Sequence, residues 1–299
     1  MTDSKPLISV IICSVNPEDL RRTESNLRLT AGVPIEVLSF DNRKAQWGIC
    51  KVYNHLAKQA ISDCLLFIHE DVLFESENWA PEIIRKLNES DTGVVGFAGG
   101  TFKGNAYSGW LLESLKESMR CNVTNPDPEY SLHIKGAEMK DNEAFAQVIT
   151  VDGLAMFIRK DRWTDIPYDE NLLDGFHCYD IDISLSNAYA GYKNYIWYTP
   201  QIIHLSLGKY DEKWIKNTIK AHDMKWKYML PMNIDPAISN SNSKRSDAYE
   251  DFFFMTRSSN SAISLTEKKR LKKRYLQHCF TRPYYLHRLL RGIRDKFIN

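Results

Sequence analysis

Short apolar runs alternate with amphipathic stretches along the first part of the chain. The runs at 7–15, 35–40 and 64–68 end in polar or acidic residues, which is typical of buried strands. Between them, a stretch that opens at Pro17 and another at 48–61 carry apolar residues at helical spacing. Repeated strand–helix–strand units of this kind predict a mostly parallel, doubly wound α/β sheet, with a ligand crevice at the carboxyl ends of its strands.

The rest of the chain continues this alternation less regularly. The pattern predicts a helix at 79–87 and, after Asp182, a second helix that ends at Gly191. Residues 120–143 are polar and contain several Asn and Pro, which predicts a long loop bordering the ligand site. Further strands are predicted at 92–98, 147–159, 195–198 and 202–204.

Composition indicates a folded domain with an appendage. The chain has 299 residues, 43% of them hydrophobic and 26% charged, which excludes a mainly disordered or collagen-like protein. We expect a catalytic domain at 1–232, a Ser- and Asn-rich linker and connecting segment at 233–263, and a basic helical tail at 264–299. Ser264 and Glu267 have the spacing of a capping box that opens the first tail helix.

The net charge of +1 is unevenly distributed. Residues 264–299 contain eleven Lys or Arg against two acidic residues, a net charge of +9, so that the remaining residues sum to −8. After Pro283, a cationic helix face opposite Leu, Ile and Phe favours contact with an anionic membrane surface. Docking of the tail on the acidic body of the protein is the alternative. Nucleic acid is not expected as a partner, since no recognised binding motif is present.

Cysteine usage and hydropathy point to a cytoplasmic protein. The six cysteines have no CxxC spacing, as expected for reduced thiols. The first apolar run is preceded by Asp3, is followed by acidic residues and has no small-residue cleavage site, so a buried strand is favoured over a signal peptide. No apolar stretch reaches the roughly 18 residues that a membrane span needs. We therefore expect a cytoplasmic protein, with peripheral attachment to the inner face of the cell membrane through its tail.

Two separated acidic clusters contain the candidate metal-binding and catalytic residues. The first, His69-Glu70-Asp71, ends the third predicted strand, where a carboxylate is placed to hold a divalent cation. The second follows a Gly- and aromatic-rich segment and contains Asp180 and Asp182. Asp180 is the candidate general base, whereas Asp182 also suits the start of the following helix, where Asp satisfies free N–H groups.

Together with the opening run from Ile8 to Asn16, these clusters make the sequence resemble the family-2-type nucleotide-sugar glycosyltransferases of the GT-A fold. Within that family it is most similar to the small bacterial branch with an FHxYDxD-type signature, and the resemblance covers residues 7–230. It implies an inverting, metal-dependent transfer of a sugar from a nucleoside-diphosphate donor, expected to be a UDP-sugar. The implied acceptor is a hydroxyl of a saccharide or lipid-linked saccharide in bacterial surface glycan synthesis.

The resemblance also implies roles for individual residues. Asp71 and His204 become ligands of Mn²⁺ or Mg²⁺, although a lone histidine beside apolar residues is more often a packed group. Asp180 becomes the base. The family usually has Asp-x-Asp where this chain has His69-Glu70-Asp71. The predicted donor-binding residues are Ser14, Asn16, Asp41, Asn54, His69 and Glu70. The predicted acceptor contacts are Trp110, His177 and Asp182.

Two other functions remain open at this point. A nucleotidyltransferase would share a similar sheet and a need for metal, but its usual Gly-rich basic loop after the first strand is absent here. A catalytically inactive carbohydrate-binding relative is the second alternative, because His69 replaces the first acid of the metal motif.

Overall fold

The computed structural model describes residues 5–126, 143–206, 208, 210–259 and 261–279. The helices are α1 (Pro17–Thr30), α2 (Asn42–Ala45), α3 (Ile49–Ala57), α4 (Ala80–Leu87), α5 (Lys160–Asp165), α6 (Tyr179–Tyr189), α7 (Glu212–Met224), α8 (Asn240–Ser259) and α9 (Leu265–Cys279). The strands are β1 (Ile8–Ser14), β2 (Ile35–Asp41), β3 (Cys64–His69), β4 (Val72–Phe74), β5 (Thr92–Gly96), β6 (Ala98–Gly100), β7 (Phe102–Lys103), β8 (Met119–Cys121), β9 (Val123–Thr124), β10 (Phe145–Val148), β11 (Thr150–Val151), β12 (Ala155–Arg159), β13 (Lys193–Trp197), β14 (Ile202–His204) and β15 (Met232–Asn233).

A seven-stranded sheet with the order β10-β13-β5-β12-β3-β1-β2 forms the centre of the molecule. β1 pairs in parallel with β2 and β3, and β13 pairs in parallel with β5. β12 runs antiparallel between β3 and β5, and β10 is antiparallel to β13. Five of the seven strands therefore run in one direction, and β10 and β12 run in the other. The sheet is mostly parallel, and the α/β class predicted from the alternating pattern is confirmed.

Hydrophobic clusters cover both faces of this sheet. Because side chains alternate along a strand, Ile11 of β1 joins the cluster that contains α3, whereas Val10 and Ile12 join the cluster that contains Leu27 of α1 and Ile83 of α4. β1 is buried at every position. The helices thus hold the sheet between two layers and leave its strand ends free to carry polar residues.

The stretch predicted as one strand at 147–159 is divided. β11 ends at Val151, a turn follows at Gly153 and Leu154, and β12 then continues into the central sheet. Asp-Gly is a strong turn signal, so the strand is interrupted here although the apolar pattern continues on both sides, and β11 and β12 run in the same direction, antiparallel to β6 and β5. This interruption places Asp152 at the edge of the sheet where the first acidic cluster lies, since the backbone N–H of His69 donates to the carbonyl of Leu154.

The linker expected within 233–263 contains a packed helix instead. α8 occupies 240–259 and buries Asp247 and Glu250 against the rest of the protein. Asp247 accepts the Ala106 N–H at 3.0 Å, and Glu250 accepts the Ser114 hydroxyl at 2.7 Å. The polar composition was misleading because these side chains make hydrogen bonds inside the protein. The proposed domain boundaries stay predictions.

The first helix of the basic tail docks on the acidic body. Its start agrees with the capping prediction, since the N–H of Glu267 donates to Ser264 Oγ at 3.1 Å. Farther along α9, Leu271 is buried in the main core cluster, and Arg274 pairs with Asp251 at 3.1 Å. The docking alternative therefore holds for α9, whereas the amphipathic second tail helix lies outside the described residues.

Within the part of the chain that the structure describes, no helix is both long and apolar enough to cross a membrane.

Docking of α9 predicts a clear loss of stability when its buried contact is removed. Leu271→Ala should lower the free energy of unfolding by about 2–5 kcal/mol, the usual cost of a buried Leu-to-Ala truncation. Lys272→Ala, at an exposed position of the same helix, is the matched control and should change stability by less than about 0.5 kcal/mol. Urea unfolding measures both variants, and equal midpoints would show that α9 does not pack on the body.

Candidate active site

The ends of β3 and β14 bring three potential metal ligands together. β14 pairs antiparallel with β4, and its last residue, His204, lies opposite Val72. This pairing places the imidazole beside Asp71, with His204 Nε2 at 3.4 Å from Asp71 Oδ1. His69 completes a cluster whose potential ligand atoms all lie within 4.8 Å of one another. His69 was predicted to contact the donor, and the structure instead groups it with Asp71 and His204.

The hydrogen bonds of His69 leave one ring nitrogen available to a cation. The Tyr179 hydroxyl donates its single proton to the carbonyl of Gly153 at 2.9 Å. In the 2.7 Å contact between Tyr179 Oη and His69 Nε2, His69 must therefore be the donor. The proton is thus assigned to Nε2, and the lone pair on Nδ1 is free to bind a metal.

The protonation states of the cluster also suit metal binding. Burial, followed by the neighbouring His204, lowers the pKa of His69 to about 4, so its imidazole is neutral at pH 7. Burial acts to raise the pKa of Asp71, but hydrogen bonds from His204 and Ser206 bring it well below its usual value. Deprotonated ligands are what a metal requires. Two imidazoles and a carboxylate suit a divalent transition metal, whereas Mg²⁺ prefers oxygen ligands.

Asp180 lies in the first turn of α6, at a partly exposed position. Its Oδ2 accepts the Gly153 N–H at 3.2 Å. Burial, followed by the nearby carboxylate of Asp152, raises the pKa of Asp180 to about 7. A carboxylate with a pKa near neutrality has the basicity that general acid–base catalysis needs.

The turn at 152–154 joins this base to the metal cluster. The carbonyl of Gly153 accepts the Tyr179 hydroxyl, which in turn contacts His69. The carbonyl of Leu154 accepts the backbone N–H of His69 at 2.9 Å. A Cβ atom on Gly153 would lie only 2.2 Å from Tyr179 Oη, so the close approach requires glycine. One turn therefore fixes the base and a potential metal ligand relative to each other.

Asp152 is a second carboxylate beside the base, and the sequence analysis missed it. Its Oδ1 accepts the Leu154 N–H at 2.9 Å, and its Oδ2 accepts the indole N–H of Trp110. The Asp-Gly turn signal inside the predicted strand at 147–159 would have located Asp152. The same hydrogen bond places Trp110 next to Asp152, while the predicted contact of Trp110 with an acceptor stays a prediction.

Besides His69, four residues predicted to bind the donor lie at the carboxyl ends of β1, β2 and β3: Ser14, Asn16, Asp41 and Glu70. Ser14 and Asp41 are partners in the register of β1 and β2. The carboxylate of Glu70 accepts the Ser14 hydroxyl at 2.6 Å and the Asn16 N–H at 2.9 Å, so it holds the loop after β1 in place. Asp41 is exposed, and its hydrogen bonds with Arg43 lower the pKa of Asp41 to about 2. The donor contacts of these residues remain predictions.

The position of Asn54 does not fit the donor role predicted for it. Asn54 is buried, and its amide nitrogen donates to the carbonyl of Tyr168 at 2.8 Å. Its amide oxygen accepts the indole N–H of Trp163 at 3.3 Å. These bonds fasten α3 to the segment at 163–168, so we assign Asn54 a structural role instead.

Asp182 is likewise occupied inside the protein. It is only 2% exposed, and its two oxygens accept Lys225 Nζ at 2.7 Å and the Trp226 indole N–H at 2.9 Å. Its carboxylate therefore connects α6 to the end of α7, and the acceptor contact predicted for Asp182 does not fit this position. His177 lies 3.2 Å from the carboxylate of Asp211, and its acceptor role stays a prediction.

The fold is that of a GT-A glycosyltransferase. It is similar to the crystal structure of GalNAc-T7 with UDP, GalNAc and Mn²⁺, with a TM-score of 0.53 and 13% sequence identity. The match covers 91% of this chain and 55% of that chain, so the protein spans little more than half the length of that structure.

Two further solved structures are less similar. One is the mannosyltransferase PcManGT from Pyrobaculum calidifontis in complex with GDP-Man and Mn²⁺, with a TM-score of 0.48, 10% identity and coverage of 95% of this chain and 83% of that chain. The other is S. aureus TarS 1-349 in complex with UDP, with a TM-score of 0.43, 12% identity and coverage of 92% and 72%.

The sequence identifies the family. Residues 9–229 match a family described as glycosyltransferase-like, which is well over half of the chain. The protein therefore belongs to this glycosyltransferase family, as the resemblance in the sequence had indicated. No curated protein sequence matches the chain significantly.

Proposed function

We propose that the protein is a metal-dependent, inverting glycosyltransferase that uses a nucleoside-diphosphate sugar, with UDP as the carrier. The observation that supports this most strongly is the turn at 152–154, which holds a carboxylate base and a His–Asp–His cluster side by side. A transferase needs both groups at one site, since a proton leaves the acceptor while charge develops on the departing diphosphate. Family membership favours glycosyl over nucleotidyl transfer.

The proposed donor site lies where the strand ends converge. His69, Asp71 and His204 would hold the cation, and the chemistry of this donor set favours Mn²⁺ over Mg²⁺. When bound, the cation supplies positive charge that stabilises the leaving diphosphate. Asp41, at the end of β2, would accept the N3–H of uracil, and Ser14 with Asn16 would border the nucleoside. GalNAc-T7 and TarS with UDP, and PcManGT with GDP-Man, are consistent with this class of donor.

Asp180 performs the proton transfer in the proposed reaction. The acceptor hydroxyl oxygen attacks the anomeric carbon from the face opposite the diphosphate, the bond from that carbon to the diphosphate oxygen breaks, and Asp180 takes the hydroxyl proton. Asp152 lies beside this base, and the Trp110 indole donates to Asp152. This single displacement inverts the anomeric configuration.

The proposed acceptor is a saccharide or a lipid-linked saccharide of a bacterial surface glycan. The excess of positive charge at 264–299 would bring the enzyme to an anionic membrane surface, where a lipid-linked acceptor resides. Because α9 already docks on the body, we assign this contact to the part of the tail that follows it.

Ligand-induced stabilisation tests the proposed donor directly. UDP and UDP-sugars with Mn²⁺ should raise the melting temperature, since a ligand at about 100 times its Kd stabilises the folded state by about 2.7 kcal/mol. UDP without Mn²⁺, and uridine with Mn²⁺, are the controls and should give small shifts, because the cation and the diphosphate bind together. Equal shifts for uridine and UDP would contradict a diphosphate site at the metal cluster.

Removing the charge of Asp152 should change the pH dependence of the reaction. The base must be ionised, so activity should fall as the pH drops through the pKa of Asp180, about 7. Since the Asp152 carboxylate disfavours ionisation of Asp180, Asp152→Asn should lower that pKa and move the acidic limb of kcat/KM to lower pH. The assay measures the release of UDP from the UDP-sugar that raises the melting temperature most. Asp161→Asn, which alters an exposed carboxylate paired with Arg159, should leave the limb in place.

A further inference from the structure

An irregular loop at 104–109 connects β7 to Trp110, and Asp247 of α8 lies directly against it. The backbone N–H of Ala106 donates to Asp247 Oδ1 at 3.0 Å. A Cβ atom on Gly104 would lie only 2.0 Å from the same oxygen, so the close approach of loop and helix requires glycine there. Asp247 is itself buried, and its carboxylate therefore fixes the loop from inside the protein.

Side chains of three helices hold the rest of the loop backbone. The N–H of Tyr107 donates to Asp251 of α8 at 3.3 Å. The carbonyl of Asn105 accepts His222 Nε2 of α7 at 2.6 Å, and it also accepts the guanidinium of Arg274 in α9. Buried backbone groups must be paired, and here the helices supply the partners. The conformation of the loop consequently depends on α7, α8 and α9.

A buried lysine adds a charge requirement to these contacts. Lys103 directly precedes the loop and is fully buried. Its Nζ donates to the Ala106 carbonyl at 3.1 Å and to the Ser108 hydroxyl at 2.8 Å. Burial lowers the pKa of Lys103 to about 8, and the carboxylates of α8 that oppose this effect are those of Asp247, Glu250 and Asp251. Since a buried charge needs opposite charges nearby, α8 is required for Lys103 to remain under the loop as a cation.

Trp110 joins the loop to the turn that holds the base. Its indole N–H donates to Asp152 Oδ2, and Asp152 Oδ1 accepts the Leu154 N–H at 2.9 Å. The N–H of Gly153, between these two residues, donates to Asp180 Oδ2 at 3.2 Å. Asp152 is thus fixed at both carboxylate oxygens, and one of the two bonds comes from Trp110. The position of Trp110 therefore bears on the turn that carries the hydrogen bond to Asp180.

We propose that Asp247 is a positioning residue for the reaction, which acts through the loop at 104–109 and Trp110 on the turn at 152–154 and so aligns Asp180. Catalytic groups have to be held within about 0.5 Å of the productive geometry by residues packed behind them. α8 lies outside the residues 9–229 that match the family, and its part in the reaction is to orient a base that the family domain supplies. The proposal rests on the proposed function, since it concerns the base of that reaction.

Steady-state kinetics of the full-length protein test the positioning role. Asp247→Ala removes the acceptor of the Ala106 N–H and should lower kcat for UDP release about ten- to hundredfold, the range for a small misplacement of a catalytic group. Affinity for UDP with Mn²⁺ should change less than about threefold, because the loss is confined to the alignment of the base. Lys244→Ala, at an exposed position of the same helix, is the matched control and should turn over like the wild type.

A double-mutant cycle shows whether Asp247 acts through Trp110. Trp110→Phe removes the indole bond to Asp152 and should lower kcat by itself. Residues that act along one chain of contacts have non-additive effects, so Asp247→Ala combined with Trp110→Phe should lose no more than the larger of the two single losses. If the two losses multiply, Asp247 does not act through Trp110 and the proposal is wrong.

Hydrogen exchange distinguishes this proposal from the proposed function, because it needs no turnover. Backbone amides at 152–154 should exchange faster in Asp247→Ala than in the wild type and Lys244→Ala, since the turn loses part of its support. If the wild type releases no UDP from any UDP-sugar, the proposed function is wrong, and exchange at 152–154 still decides whether Asp247 holds the turn. Unchanged exchange there, or wild-type kcat in Asp247→Ala, overturns the positioning role.

A second variant covers the case in which Asp247→Ala does not fold. Gly104→Ala introduces the Cβ that would meet Asp247 Oδ1, so it separates the loop from α8 while every charged group is kept. It should reproduce the loss of kcat and the faster exchange at 152–154. Wild-type values of both quantities in a folded Gly104→Ala protein would contradict the proposal.

Discussion

Asp180→Asn should lower kcat by about a hundredfold or more, the range expected when a positioned general base is lost. The substitution keeps the size of the side chain and its ability to accept the Gly153 N–H, but it removes the basic oxygen. Affinity for UDP with Mn²⁺ should barely change, because the loss is confined to the transition state. Nucleotide release under saturating donor measures the first effect, and titration with UDP measures the second.

Asp182→Asn is the matched control, two residues farther along α6. It weakens a buried contact with Lys225, so it should reduce stability by about 1–3 kcal/mol and leave kcat within a few-fold of the wild type. The opposite pattern, with Asp182→Asn inactive and Asp180→Asn active, would show that the base has been assigned to the wrong carboxylate. If both variants turn over normally, neither carboxylate is the base.

The central sheet was predictable because each of its main strands is an uninterrupted apolar run in the sequence. β1 and β3 are continuous buried runs, and each ends in a polar residue at the edge where sites of α/β folds lie. The division of the stretch at 147–159 and the packing of α8 were not predicted. At 147–159 an Asp-Gly turn interrupts an apolar pattern, and in α8 a polar composition hides side chains that form buried hydrogen bonds with distant residues.

The candidate site was likewise predictable only where neighbouring residues in the sequence identify a functional side chain. Asp71 and Asp180 stand out in the sequence because each is an acid directly after a recognisable segment. The pairing of β14 with β4 brings His204 to Asp71, and the Tyr179 hydroxyl orients the ring of His69 beside them; these are long-range contacts that spacing does not reveal. Asn54 was misassigned because a polar residue on a helix looks the same in sequence whether it faces a ligand or a buried carbonyl.

Removal of the metal should abolish activity. Chelation with EDTA should stop sugar transfer, and added Mn²⁺ should restore it more effectively than Mg²⁺, because two of the three candidate ligands are imidazoles. Asp71→Ala should lower kcat/KM by about a hundredfold or more, since charge stabilisation by a metal contributes several kcal/mol to the transition state. Mn²⁺ binding, followed by electron paramagnetic resonance in the presence of UDP, should weaken in parallel.

Asp91→Ala provides the control for this loss, because Asp91 is an exposed carboxylate paired with Lys193 at the surface. It should bind Mn²⁺ and turn over like the wild type. The His69 tautomer gives a second check, since Tyr179→Phe removes the hydroxyl that orients the imidazole. That variant should weaken Mn²⁺ binding about 10- to 100-fold, as the loss of an outer-shell partner usually does, while leaving UDP binding without metal unchanged. Full activity in excess EDTA, or normal Mn²⁺ binding by Asp71→Ala, would contradict a metal site formed by His69, Asp71 and His204.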